Sequence, residues 1–218
     1  MLLSSGLALL GVRPGSAIDN ADPVMSTKEI PFRISLNTST ISGYNLSVEQ
    51  QIEYCAKAGF GGIELWTRDI CAFLKKGGSY QQLVRKLQSG HLILENIIGF
   101  SPWIIGGKGM DEMLKEIDMA AALGSRCIAA TALGLEKIDR DDFEKYTDNY
   151  RRILEYGESV GVRPLLEVWG TGALNKLSDA ARIALGTGHP KASMLLDFYH
   201  LYRGDNSFES LYLINGAE

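Results

Sequence analysis

Cysteine and histidine are scarce, with three of each in 218 residues. Cys55, Cys71 and Cys127 are odd in number and far apart, so they match neither a zinc motif nor a disulfide framework and read as core or helix thiols. Long apolar runs are missing too; none reaches the roughly 18 residues a membrane span needs. Basic residues (22) are fewer than acidic ones (26), and no Lys/Arg cluster breaks the balance, which argues against a nucleic-acid partner. The chain lacks the Gly-x-Gly-x-x-Gly and Gly-Lys-Ser/Thr phosphate loops. Its run Gly106-Gly107-Lys108-Gly109 matches neither and reads as a flexible loop. What remains, 45% hydrophobic and 22% charged residues, is the make-up of a chain with a substantial core.

The first 28 residues stand apart. Leu2 to Val12 form a short apolar run, Gly15-Ser16-Ala17 offers a cleavage site, and a polar tract follows without periodicity. This is the pattern of an export signal peptide without its basic start, or of a disordered leader. The expectation is a periplasmic or exported protein, with a cytoplasmic one as the alternative. Residues 29–218 carry the fold.

From residue 31 onward a pattern repeats. Phe32–Leu36, Gly62–Trp66, His91–Gly99, Arg126–Thr131, Arg163–Trp169 and Ser193–Asp197 read as strands. Asn37 to Asn45 reads as a polar loop. Ser47 and Gln50 form a capping box that opens a helix ending at Gly59. Further helices are expected at Ser79–Ser89, Met110–Leu123, Asp139–Val160 and Leu177–Leu185, the last with Ser178 as cap, and another starts at Phe208. Strands alternating with helices imply βαβ units and a parallel sheet.

Two architectures fit: a doubly wound open sheet, or a (β/α)8 TIM-type barrel with about six of its eight units in this chain. The polar residues favour the barrel. Asn37, Glu64, Trp66, Gly99-Phe100, Thr131, Glu167, Trp169, Asp197 and His200 fall at or just after the C-terminal ends of different strands. A barrel gathers its chemistry there from many strands, whereas an open sheet concentrates it at one switch point. A barrel left open would expose a seam and favour homo-oligomers.

Glu167 and Asp197 end apolar strands, where a carboxylate is costly unless paired or metal-bound. With His200 they suit a divalent cation such as Mn2+, Mg2+, Co2+ or Zn2+. The alternative is that Glu167 pairs with a base and Asp197 caps the next turn. Glu64 reads as a substrate contact or as one half of a salt bridge. Trp66, Trp103 and Trp169 fall in the loops after strands and offer flat faces to a sugar, or pack against those loops. His91 and His189 precede strands and read as structural.

These segments resemble the xylose isomerase-like TIM-barrel superfamily, in particular its sugar phosphate isomerase/epimerase branch. The likeness rests on Ile34–Ile41, Ala58–Trp66, Leu165–Trp169 and Leu195–His200. It implies that Glu167 and Asp197 bind a divalent metal and that His200 contacts substrate, with Asn37, Glu64 and the tryptophans around it. It implies further ligands from a seventh and an eighth strand, which would follow Glu218, so that this chain alone would hold half of the metal site and be inactive. The implied reaction is proton transfer through an enediolate on a small carbohydrate, with Glu167 as one of two proton carriers. An inosose dehydratase-like lyase and a non-catalytic carbohydrate-binding barrel are the alternatives. The superfamily's DNA-repair endonucleases use extra histidines that the ends of strands two and three lack here.

Overall fold

The structure, a computed structural model, describes residues 32–214. The leader expected over residues 1–28 lies outside the described residues. Six strands form one sheet: β1 Ser35–Asn37, β2 Gly62–Trp66, β3 Ile93–Gly99, β4 Cys127–Thr131, β5 Arg163–Glu167 and β6 Ser193–Leu195. Their spatial order is β1-β2-β3-β4-β5-β6, and every pair is parallel. Each crossover therefore advances by one strand in the same direction. A doubly wound sheet would reverse at a switch point, and this one does not. It is the singly wound sheet of a TIM-type barrel, with six β/α units.

Seven α-helices follow the strands: α1 Val48–Lys57, α2 Thr67–Lys75, α3 Tyr80–Ser89, α4 Lys108–Leu123, α5 Phe143–Val160, α6 Leu177–Gly186 and α7 Phe198–Arg203. Ser47–Gln50 and Ser79–Gln82 form reciprocal capping boxes at α1 and α3. Gly124 and Gly161 end α4 and α5 in the left-handed region, φ 78° at each, where a Cβ would be strained. The core lies between the helices and the outward face of the sheet, where Ile63, Leu65, Ile97, Ile128, Ala130 and Leu166 are buried. No described helix is long and apolar enough to cross a membrane.

Several expected boundaries move. β1 starts at Ser35 and includes Asn37, and the expected loop after it is a 3-10 helix, Thr38–Tyr44. β5 ends at Glu167 rather than Trp169. Helix α2 opens directly on the end of β2, and α7 starts two residues after β6, which hid both behind the strand motifs. The Asp139–Val160 stretch splits into a 3-10 turn at Arg140–Asp142 and α5, while Phe208–Leu213 is 3-10 throughout. Lys108 and Gly109 begin α4 rather than completing a glycine loop. Ser178 lies inside α6. That helix is capped from a distance, because Asn206 Oδ1 accepts from Leu177 N–H at 2.7 Å.

Tyr150 ties β6 to the sheet. From α5 its hydroxyl reaches the β5–β6 ladder, 2.7 Å from the Ser193 carbonyl and 3.0 Å from the Pro164 carbonyl. It accepts from the Leu166 and Ser193 N–H groups at 3.3 Å each. Tyr150→Phe keeps the ring beside Trp103 but leaves these backbone groups short of a partner. It should cost about 2 kcal/mol in urea denaturation and speed amide exchange at Leu166 and Ser193. Unchanged stability and exchange would show that the ladder holds β6 without the hydroxyl.

Candidate functional site

The inward face of the sheet carries the polar residues. Across β1, β2 and β3 the register aligns Asn37, Glu64 and Asn96, and across β4 and β5 it aligns Thr131 with Glu167. Glu167 is 6% exposed. The Thr131 hydroxyl donates to its Oε2 at 2.5 Å, so one carboxylate oxygen is fixed by the neighbouring strand. Burial pushes the Glu167 carboxyl up to about pKa 7, the Thr131 bond opposes that shift, and the facing carboxylates of Asp197 and Glu64 add to it. Glu64 is raised as well, first by burial, against the opposing pull of the Asn96 and Asn37 amides.

Asp197 precedes α7 and caps it. Its Oδ1 accepts from the Tyr199 N–H at 2.7 Å and the His200 N–H at 3.1 Å. The capping alternative therefore holds for one oxygen, and Oδ2 has no hydrogen bond among the described residues. Two residues of that turn point apart. Tyr199 is exposed, while His200 is 8% exposed and its Nδ1 is buried without a partner. Burial lowers the His200 pKa, against the opposing effect of Asp197. The His200 ring lies 3.9 Å from the Trp169 ring, centroid to centroid. This contact depends on Gly170. A Cβ there would sit 2.3 Å from the His200 carbonyl oxygen, so only glycine lets α7 approach the β5–α6 loop so closely.

An aromatic wall completes the arc. Phe100 makes edge contacts with Trp66 at 5.0 Å and Trp169 at 5.6 Å. Asn37 Oδ1 accepts from Trp66 Nε1 at 3.4 Å and from Ser39 N–H at 2.9 Å. Arg68 lies 4.5 Å over the Trp66 ring. The structure thus brings together Asn37, Glu64, Trp66, Glu167, Trp169, Asp197 and His200. It does not bring Trp103 there: that ring is 0% exposed, packs on Tyr150, and gives its Nε1–H to the Thr131 carbonyl at 3.1 Å. A tryptophan in a loop after a strand was read as facing the mouth, but its own 3-10 turn at Trp103–Ile105 folds it under α4 and α5. Asn96 and Arg68 were not among the expected site residues, while Phe100 and Thr131 were expected at strand ends without a role. The register signal for Thr131 was its place at the end of the fourth strand. Asn96 had none, because it lies mid-strand.

A family model described as xylose isomerase-like TIM barrel matches residues 52–218. The inosose isomerase of Bacillus velezensis is 24% identical over 185 residues, covering 80% of this chain and 65% of its own length. The chain thus spans just under two thirds of that relative. Among solved structures, the IolI protein with a bound zinc atom superposes with a TM-score of 0.74 at 22% identity, over 85% of this chain and 69% of the other. D-psicose 3-epimerase in the presence of D-fructose gives 0.64 at 17% identity, over 81% and 67%. At these identities the structural likeness speaks for the fold.

The raised Glu167 pKa has a definite sign in stability. Protonated Glu167 favours the folded state, so its contribution is complete below about pH 4.5 and is lost as pH rises through about 7. In metal-free protein, Glu167→Gln should remove that loss. The variant should gain on the order of 3 kcal/mol over wild type between those limits, read as the difference of two urea-stability curves. Parallel curves would mean that Glu167 ionises in the fold as freely as it does in water.

Proposed function

The chain belongs to the xylose isomerase-like TIM barrel family, and from that premise we propose that its barrel mouth moves a proton beside the carbonyl of a small ketose, as a sugar isomerase or epimerase. The observation that carries the reading is the Glu167 carboxyl. It sits buried at a strand end, is held through one oxygen by Thr131, and has a pKa raised to about 7. A general base is most effective when its pKa lies near the working pH. The Thr131 bond fixes the carboxylate in one orientation and leaves Oε1 without a hydrogen bond among the described residues.

The other residues support that role. Trp66, Phe100 and Trp169 present apolar surface on which the C–H face of a sugar packs while water is displaced. Burial favours the neutral form of His200, whose ring packs on Trp169 beside Asp197. Return of the proton to the opposite face of the same carbon gives an epimer; return to the adjacent carbon gives an isomer.

The donor set also fits a divalent cation. Glu167 Oε1 and Asp197 Oδ2 have no hydrogen bonds among the described residues, and hard or borderline cations take such oxygens. No three His, Cys, Asp or Glu side chains among the described residues lie close enough to hold a metal by themselves. Glu167 and Asp197 would therefore be two ligands of a larger set. When bound, the cation would supply Lewis-acid polarisation of the ketose carbonyl.

The test is proton exchange. Ketopentoses, ketohexoses and inososes are incubated with the protein in heavy water with Mn2+ or Mg2+, and deuterium beside the carbonyl is followed by NMR. Glu167→Gln should slow exchange by about 10²-fold or more with the fold intact by circular dichroism. Asp197→Asn should also abolish it, although the amide oxygen still caps α7. Wild-type exchange rates in both variants would remove these residues from the chemistry. Release of an unsaturated ketone would assign dehydration instead.

A further inference from the structure

The proposed reaction leaves one carboxyl of the core without a task. Glu116 lies on α4 in the same stripe as Met113, Ile117 and Ala120, which are buried in the core. An apolar side chain would fill that position without a polar cost, so a carboxyl there needs an explanation. Its Oε2 is buried and has no hydrogen-bond partner among the described residues. Burial raises its pKa, and the groups that act against the rise are the Ser101 and Thr67 hydroxyls and the Ser101 backbone.

A glycine makes the seat of this carboxyl. Glu116 packs on β3 at Gly99, where a Cβ would come within 2.5 Å of its Oε1 and would overlap its Oε2 and Cδ as well. Gly99 does not have a positive φ, so its own backbone does not require glycine; the close approach of Glu116 does. The seat lies behind two strand ends at once. Gly99 leads into Phe100 and Ser101, and Trp66 leads into Thr67, the first residue of α2. Trp66 is tied to Asn37 through its indole N–H, but α2 has no side-chain cap of its own. Glu116 is thus a polar group from the helix layer that meets both of the segments carrying the Trp66–Phe100 contact.

We infer that Glu116 is a positioning residue for the aromatic wall: wedged against Gly99, it holds the end of β3 and the start of α2 at a fixed spacing and so sets the edge contact of Trp66 with Phe100. It acts through these two rings from behind the sheet. Its effect on sugar binding rests on the proton-transfer reading above. Its effect on the two rings does not.

The experiment reads the tryptophans one by one. In isotope-labelled protein the indole N–H signals of Trp66, Trp103 and Trp169 are assigned by tryptophan-to-phenylalanine variants, then followed in Glu116→Ala, Glu116→Gln and Gly99→Ala. Trp103 is the control, because it packs beneath α4 itself and away from the wall. Glu116→Ala empties the seat and Gly99→Ala fills it with a methyl group; each should shift the Trp66 signal and leave Trp103 in place. Glu116→Gln keeps the shape of the side chain and should leave Trp66 near its wild-type position. In the heavy-water assay, Glu116→Ala should raise KM for the ketose about fivefold or more and change kcat less than about twofold, because a wall that packs on the sugar holds ground state and transition state alike. Trp66 unmoved in both Glu116→Ala and Gly99→Ala would overturn the positioning role. Trp66 and Trp103 shifting together would also overturn it, and would make Glu116 a support of α4 as a whole. A shifted Trp66 with KM unchanged overturns the link to sugar binding. Absence of exchange by wild type overturns the proton-transfer reading instead, and the indole signals still decide the role of Glu116.

Discussion

Three carboxyl groups, one buried and two half-buried, crowd the inward side of the sheet at its C-terminal end, and holding them there is the constraint around which the rest of the molecule is arranged. Asp197 makes the ionisation of both Glu64 and Glu167 harder, and Glu64 adds to that effect on Glu167. A low-dielectric site tolerates this only if each group is held by hydrogen bonds or is left protonated. Both solutions are used. Thr131 holds Glu167, the Tyr199 and His200 amides hold Asp197, and Glu64 shares its space with two amide side chains. Charge repulsion that would unfold a less constrained site is stored in one where the strands are fixed by the ladder.

The constraint reaches outward through specific contacts. The Asp197 oxygen that caps α7 also decides where His200 sits, and Gly170 lets that turn close on Trp169. Trp169 meets Phe100, Phe100 meets Trp66, and Trp66 is held by Asn37. The aromatic wall is therefore continuous from β1 to α7 and encloses the carboxyl groups on one side. Each member arrives from a different β/α unit. The wall consequently depends on the parallel order of the strands rather than on any one loop.

The alternation of apolar strands with amphipathic helices made the fold class legible in the sequence, and the scatter of polar residues over many strand ends separated a barrel from a doubly wound sheet. Glu167, Asp197 and His200 were legible for the same reason: a charged group at the end of an apolar run needs an explanation. Three kinds of feature were not. Helix α2 begins without any break after its strand, and α7 only two residues after its own, with Asp197, read as a strand-end residue, as its cap. Trp103, like Trp66 and Trp169, comes near the end of a strand, but it follows Ser101-Pro102 and its 3-10 turn sends it inward. Asn96 faces Glu64 because of a slip in register, and a slip leaves no periodicity to read.

The two halves of the site differ in how firmly they are held. Glu167 stands on β5, paired on both sides, with its outward neighbours Leu166 and Val168 fully buried. Asp197 and His200 follow β6, which is three residues long and pairs on one side only among the described residues. The helix-facing side of β6 borders an open groove of about 580 Å3 lined by Leu185, Met194, Leu196 and Leu213. What compensates is a set of polar ties from elsewhere in the chain. Tyr150 joins β6 to β5, Asn206 joins the segment after α7 to the start of α6, and Lys176 Nζ donates to the Gly204 carbonyl at 2.7 Å. Ties of this kind fix direction more than they add burial. They suit a strand whose task is to present Asp197 and His200 at a set distance from a carboxyl group on a rigid neighbour, because an error of about 1 Å in such a placement costs a reaction more than it costs the fold.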